Sequence, residues 1–243
     1  MTHPAHAFAP HACFVTGTDT EIGKTLVSSA LLLYWQRQGW TTLGLKPVAA
    51  GAEQVGDAWH NEDVDSLAAC STEQPPLAER TPYLLRTPAA PHIAAEIDGV
   101  RIECQRILQS FRHLHTRAQA LVVEGVGGFR VPLNEQEDTA DLAVALNLPV
   151  VLVVGLRLGC INQALLTYEA IASRGLRVVG WVANAAQTGM AYEQENIAAI
   201  QARLGVPLLG AIPHLPQTSA VERARAASHV WSEAAMRQVF FSS

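Results

Sequence analysis

The sequence predicts an α/β fold in which a mostly parallel sheet carries helices on both faces. Three observations predict it. Short Val/Leu-rich runs recur along the chain without clean polar alternation, as strands buried on both faces require. Segments with helical spacing separate them, and this β-α alternation implies parallel pairing with crossover helices. The first run leads through a Gly-rich turn into the first helical pattern.

The apolar runs fall at residues 13–17, 43–48, 120–124, 150–155, 178–184 and 207–212. Helical patterns occupy residues 24–38, 102–117, 139–147, 161–174, 192–204 and 220–238, the first ending at Gly39 as a C-cap. Residues 72–92 are Pro-rich and read as a long surface connection. Neither an internal repeat nor an interdomain linker is visible. We expect residues 1–11, rich in Ala, His and Pro, to be a floppy N-terminal segment whose His3, His6 and His11 are solvated, and residues 12–243 to form one domain.

Composition narrows the function classes. Of 243 residues, 49% are hydrophobic and 16% charged, enough for a sizeable core. A net charge of −5 leaves no footprint for nucleic acid or an anionic membrane, so an anionic ligand must be held locally. Cys13, Cys70, Cys104 and Cys160 form no CxxC pair and read as reduced thiols of a cytoplasmic protein. No apolar run reaches membrane-spanning length, and the start lacks the pattern of a signal peptide.

In such sheets ligands bind beyond the carboxyl ends of the strands. Four polar clusters fall there: residues 18–25, 46–51 and 124–128, and Asn184. The first, from Gly17 through Thr18, Asp19, Thr20, Glu21, Ile22 and Gly23 to Lys24 and Thr25, is a phosphate-binding loop. The strict pattern places four residues between its glycines, and here there are five. Gly23 lets the backbone approach a phosphate, and the loop and helix start aim N–H groups at the anion. Lys24 reaches the β- and γ-phosphates, and the Thr25 hydroxyl can ligate Mg²⁺. The fold class is therefore a single-domain, three-layer sandwich of the P-loop NTPase type.

Lys46 opens the polar cluster at the carboxyl end of the second run and would face the phosphate loop across the strand ends, unless it is simply a solvated lysine. Glu124, followed by Gly125, Gly127 and Gly128, stands where such ATPases place a carboxylate on the metal side; an ordinary Gly-rich loop would look the same. Glu62, Asp63 and Asp65 open a helical pattern, and spacing does not choose among them.

Together these segments resemble the dethiobiotin synthetase family, over residues 14–215. The resemblance rests on residues 14–25, Lys46-Pro47-Val48, Pro91-His92, residues 123–128, Leu158-Gly159-Cys160-Ile161-Asn162 and residues 180–184. It implies a sheet of about seven strands, a homodimer and an Mg²⁺-dependent reaction. That reaction uses ATP as co-substrate and joins 7,8-diaminopelargonate and CO₂ into dethiobiotin through a carbamate and a carbamic-phosphoric anhydride. It implies Lys24 and Lys46 as catalytic residues and Thr25, Asp63 and Glu124 as metal ligands. Thr18, Thr20, Glu21, Ile22, Gly23, Lys24, Thr25, Asn184 and Pro213 would hold the nucleotide. Thr20, Lys46 and Gly127, with Gly159 and Asn162 of a second subunit, would hold the substrate. The chain departs from the family at Ala50, commonly serine, which removes a hydroxyl, and at Arg157, often lysine, which keeps the charge.

The competing reading is a ParA/MinD-like ATPase switch on the same fold. Such switches usually carry a second lysine early in the phosphate loop; residues 17–23 contain none and place Glu21 there.

Overall fold

The computed structural model describes residues 11–188, 190–216 and 218–241. In chain order the elements are β1 (His11–Gly17), α1 (Lys24–Arg37), β2 (Thr42–Leu45), β3 (Val48–Ala49), β4 (Glu53–Val55), β5 (Ala58–His60), α2 (Glu62–Ala69), α3 (Leu77–Arg80), β6 (Tyr83–Leu84), α4 (Pro91–Ile97) and α5 (Cys104–Leu114). There follow β7 (Ala120–Glu124), α6 (Thr139–Leu146), β8 (Val150–Gly155), α7 (Cys160–Ser173), β9 (Val178–Asn184), α8 (Glu193–Leu204), β10 (Leu208–Ile212), α9 (Ala220–Ala227) and α10 (Glu233–Phe240).

The main sheet has the order β10-β9-β8-β1-β7-β2, and every pair is parallel. Alternate residues of each strand enter opposite cores: Phe14, Leu121 and Leu152 on one face, Cys13, Val122 and Val151 on the other. Helix α1 packs in the second core through Val27, Leu31 and Trp35, while α5, α7 and α8 supply Ile107, Ala164 and Ile200 to the first. Two buried faces explain why the strands are apolar throughout. The α/β three-layer expectation is borne out.

Several expectations are corrected. The main sheet has six strands among the described residues rather than about seven. After Leu45 the chain meets Pro47, which has no N–H for a ladder; Val48 and Ala49 then pair with β6 in a separate small sheet. Residues 72–92 are not a plain surface connection. They contain α3 and β6, and the Arg80 carbonyl accepts a hydrogen bond from the Lys46 N–H at 2.9 Å. The helix expected over residues 220–238 is two helices. Trp231 bridges to Gly210 beside the sheet edge, and Ser232 caps a new start. His11 belongs to β1, its ring stacked on Trp40 at 3.7 Å, so the structured part begins one residue earlier than expected. His3 and His6 lie outside the described residues. The exposed hairpin of β4 and β5 was not expected, because its solvated strands carry no apolar periodicity.

Candidate active site

The carboxyl ends of β1, β7 and β2 meet at one edge of the sheet. Register sets the first contacts: Leu45 pairs with Val123, and Val15 pairs with Glu124. The residues that follow, Lys46 on one strand and the phosphate loop on the other, therefore flank the Glu124 carboxylate. Asn61 caps α2 by accepting from the Asp63 and Val64 N–H groups, which fixes the first turn of that helix beside the loop.

The result is an interlocked cluster. Lys46 Nζ lies 2.7 Å from Asp63 Oδ2 and 2.5 Å from Glu124 Oε1. Thr25 Oγ1 donates toward Asp63 Oδ1 at 2.6 Å and toward Glu124 Oε1 at 2.8 Å, and one hydroxyl proton can serve only one at a time. Glu124 is fully buried and Lys46 is 3% exposed. Burial alone would push the Lys46 pKa down; the adjoining Glu124 and Asp63 carboxylates outweigh it and hold the ammonium above the ordinary lysine value. Burial would raise the Asp63 pKa, but Lys46, the Thr25 hydroxyl and Lys24 hold it below the usual carboxylate range.

Asp63 is thereby separated from its neighbours. Asp65 pairs with His60 at 3.0 Å and Glu62 faces Arg223 at 3.6 Å, both away from the Thr25 hydroxyl. A hard cation fits the donor set of the Thr25 hydroxyl and the Asp63 and Glu124 carboxylates, of which Glu124 Oε2 is buried without a hydrogen-bond partner among the described residues. Among the described residues no three His, Cys, Asp or Glu side chains form a metal-binding cluster, so this site would rest on two carboxylates and a hydroxyl.

Gly23 forms the N-cap of α1 with φ +88°, a left-handed conformation that L side chains resist. A Cβ there would stand 2.2 Å from Asn184 Nδ2, which itself donates to the Ile22 carbonyl at 2.8 Å. Lys24 Nζ donates to the Asp19 carbonyl at 2.7 Å. Burial and the nearby Lys46 push the Lys24 pKa down to about 8, against the opposing pull of Glu124, Asp63 and Asp19.

These groups open on a cleft of about 940 Å³. Thr20, Glu21, Gly23, Lys24, Thr25, Lys46, Asp63, Gly127, Asn184 and Pro213 all line it. The Thr20 hydroxyl lies near Gly127, 3.6 Å from where a Cβ would stand. Ala49, Ala50, Pro88, Ala89, Val126 and Val131 give the cleft an apolar stretch of wall. The Thr18 and Ile22 side chains are not brought to the cleft. The Thr18 N–H is bonded to the Val153 carbonyl, and Ile22 packs under the loop against Gly17 and Gly155. Gly159 and Asn162 also lie off this cleft, at the start of α7 beside Leu158, which is 96% exposed.

Sequence reasoning missed two participants. Asp19 supplies the carbonyl that holds Lys24 and a carboxylate paired with Arg157; its place inside the loop was the available signal. Arg223 reaches the cleft from α9, and nothing but its charge distinguished it.

Residues 11–222 match the model of a family described as an AAA domain. The chain is 54% identical over 207 residues to the ATP-dependent dethiobiotin synthetase BioD of Janthinobacterium sp. (strain Marseille), covering 84% of this chain and 88% of that protein. It is 54% identical over 206 residues to the same-named protein of Aromatoleum aromaticum, covering 85% and 92%. Among solved structures, a ParA family ATPase from Chlorobium tepidum superposes with a TM-score of 0.55 at 13% identity, covering 96% of this chain and 94% of that one. The MinC:MinD cell division protein complex of Aquifex aeolicus gives 0.54 at 13% identity, covering 89% and 86%. At that identity the two structures show the fold alone, whereas the two sequence relatives show more: the chain belongs to the ATP-dependent dethiobiotin synthetase family.

Proposed function

We propose that this chain is the ligase that carboxylates 7,8-diaminopelargonate and closes its ureido ring, consuming ATP. Family membership supports the reaction, and one observation supports this site as its seat. A lysine from outside the phosphate loop, Lys46, is buried beside Thr25, Asp63 and Glu124 where a terminal phosphoryl group would be transferred.

One amine of the substrate adds to CO₂ and loses a proton, giving a carbamate. The γ-phosphoryl group of ATP passes to a carbamate oxygen, releasing ADP. The second amine attacks the carbamoyl carbon, the C–O bond to phosphate breaks, and the amine's proton passes to the departing phosphate, so that the cyclic urea leaves with inorganic phosphate. Phosphoryl transfer of this kind depends on positioning and charge neutralisation. Lys24 stabilises charge on the transferred group, and Lys46 holds the carbamate and the developing anion. Thr25, Asp63 and Glu124 would hold Mg²⁺, which supplies neutralisation of the β- and γ-phosphate charge. Asn184 and Pro213 receive the adenine, with the remaining amide hydrogen and Oδ1 of Asn184 available to read it. Thr20 and Gly127 meet the substrate near its reacting end.

The substrate's carboxylate tail would reach Gly159 and Asn162 of a second copy in a homodimer. Leu158, exposed beside them, supports that reading, as does the absence of Gly159 and Asn162 from the lining of the single-chain cleft. The four buried free cysteines support a cytoplasmic setting. Among the described residues no helix is long and apolar enough to cross a membrane. The switch alternative has only distant likeness in fold behind it, and the phosphate loop lacks the early lysine it needs.

Carbon-13 bicarbonate tests the reaction. The product should carry the label in its ureido carbonyl, with one ADP formed per labelled product. ADP formation without labelled product would contradict the proposal.

A further inference from the structure

Arg223 lines the cleft from the first turns of α9, a helix that packs on α1 through the buried Ala224 and Ala227. Its Nε atom is buried and has no hydrogen-bond partner among the described residues. Among the described residues its guanidinium is held only by a 3.6 Å contact to Glu62, a carboxylate that is 80% exposed. That distance is too long for a hydrogen bond, and an ion pair to so exposed a partner contributes little. The other lysine and arginine cations of the cleft wall are differently placed. Lys46 is shared between two carboxylates and Lys24 donates to a carbonyl. Arg223 therefore presents an unspent planar donor to whatever anion enters.

Its location says which part of the ligand it meets. The α9 end of the cleft wall includes Pro213 and Ala220, on the side proposed for adenine. The guanidinium extends from there toward Glu62, next to Asp63 on the metal side. Between the base and the metal-bound phosphates of a nucleoside triphosphate lie the ribose and the α-phosphate. We infer that Arg223 is a nucleotide-binding residue that exchanges its loose contact with Glu62 for the ribose and α-phosphate of ATP. A guanidinium suits an α-phosphate oxygen because its donors form a fixed fork and it stays charged throughout the working pH range. The inference rests on the cleft being the ATP site.

Calorimetric titration with MgATP separates the possibilities. The unaltered protein should bind, and failure there would overturn the ATP-site reading itself. Arg223→Ala should weaken MgATP binding about tenfold and flatten its dependence on ionic strength, while the melting temperature of the ligand-free protein stays within a degree or so. Arg223→Lys should recover part of the loss. Glu62→Gln is the discriminating variant. If Glu62 competes for the guanidinium, its removal leaves MgATP binding equal or tighter; if the pair only braces α2 against α9, both variants weaken binding alike. MgATP affinity within twofold of the unaltered protein in Arg223→Ala, or an equal loss in Glu62→Gln, would overturn the inference.

Discussion

The two ends of the proposed site are built in opposite ways. At the phosphate end, strand register, a capped helix and a glycine-dependent loop converge on a buried cluster in which Lys46, Asp63, Glu124 and Thr25 contact one another within a single chain. At the Leu158–Asn162 corner nothing converges. Leu158 is almost fully exposed, and Gly159 and Asn162, at the start of α7, are not part of the cleft lining. The difference teaches where completeness resides. On the proposed reading, folding of one chain assembles the phosphoryl-transfer cluster, and the far end of the substrate would be met by a second copy.

The largest expected effect lies at the first end. Lys46→Ala should lower turnover by about 10³ while leaving ATP binding largely intact, because it removes a charge placed for the transition state. The same change leaves the buried Glu124 and its neighbour Asp63 without their cation, so the ligand-free protein should lose about 3 kcal/mol in denaturant unfolding, partly restored by Mg²⁺. Normal turnover at saturating ATP would remove Lys46 from the mechanism. Gly23→Ala should cost about 100-fold in ATP affinity by titration, since its Cβ meets Asn184 at 2.2 Å in a left-handed backbone conformation.

The other end should respond differently. Leu158→Asp should convert a dimer to a monomer in sedimentation and raise KM for the diamine about tenfold, leaving ATP affinity unchanged. Equal losses for ATP and diamine would erase the contrast between the two ends. The smallest effect is in pH. With Lys24 at about 8 in the free protein and raised by bound phosphates, binding takes up a proton above that value. ATP affinity should then be about threefold weaker at pH 8.5 than at 7.5, with proton uptake seen as buffer-dependent heats.

The same contrast explains what was legible in the sequence. The six apolar runs mark all six main strands because burial on both faces writes itself into composition. The phosphate loop was legible because its chemistry is local. Lys46 and Glu124 were suggested by strand ends alone, but only the register of β2 and β7 brings them into contact. The choice of Asp63 over Glu62 and Asp65 depended on helix phase, which an eight-residue helix with acids at three of its first four positions does not reveal. The break between α9 and α10 was hidden because Trp231 leaves the helix to meet Gly210, a contact that sequence spacing does not encode. Residues 72–92 read as loop because their prolines conceal the short β6, whose partner β3 lies far back in the chain.

This cluster should phosphorylate a carbamate rather than hydrolyse ATP to time an assembly. Steady-state ADP release measured with Mg²⁺, ATP, diaminopelargonate and bicarbonate, each omitted in turn, tests it most directly. ADP release should require the diamine and bicarbonate together and fall to background without either. Hydrolysis that proceeds without both, or that responds to a lipid surface instead, would contradict it.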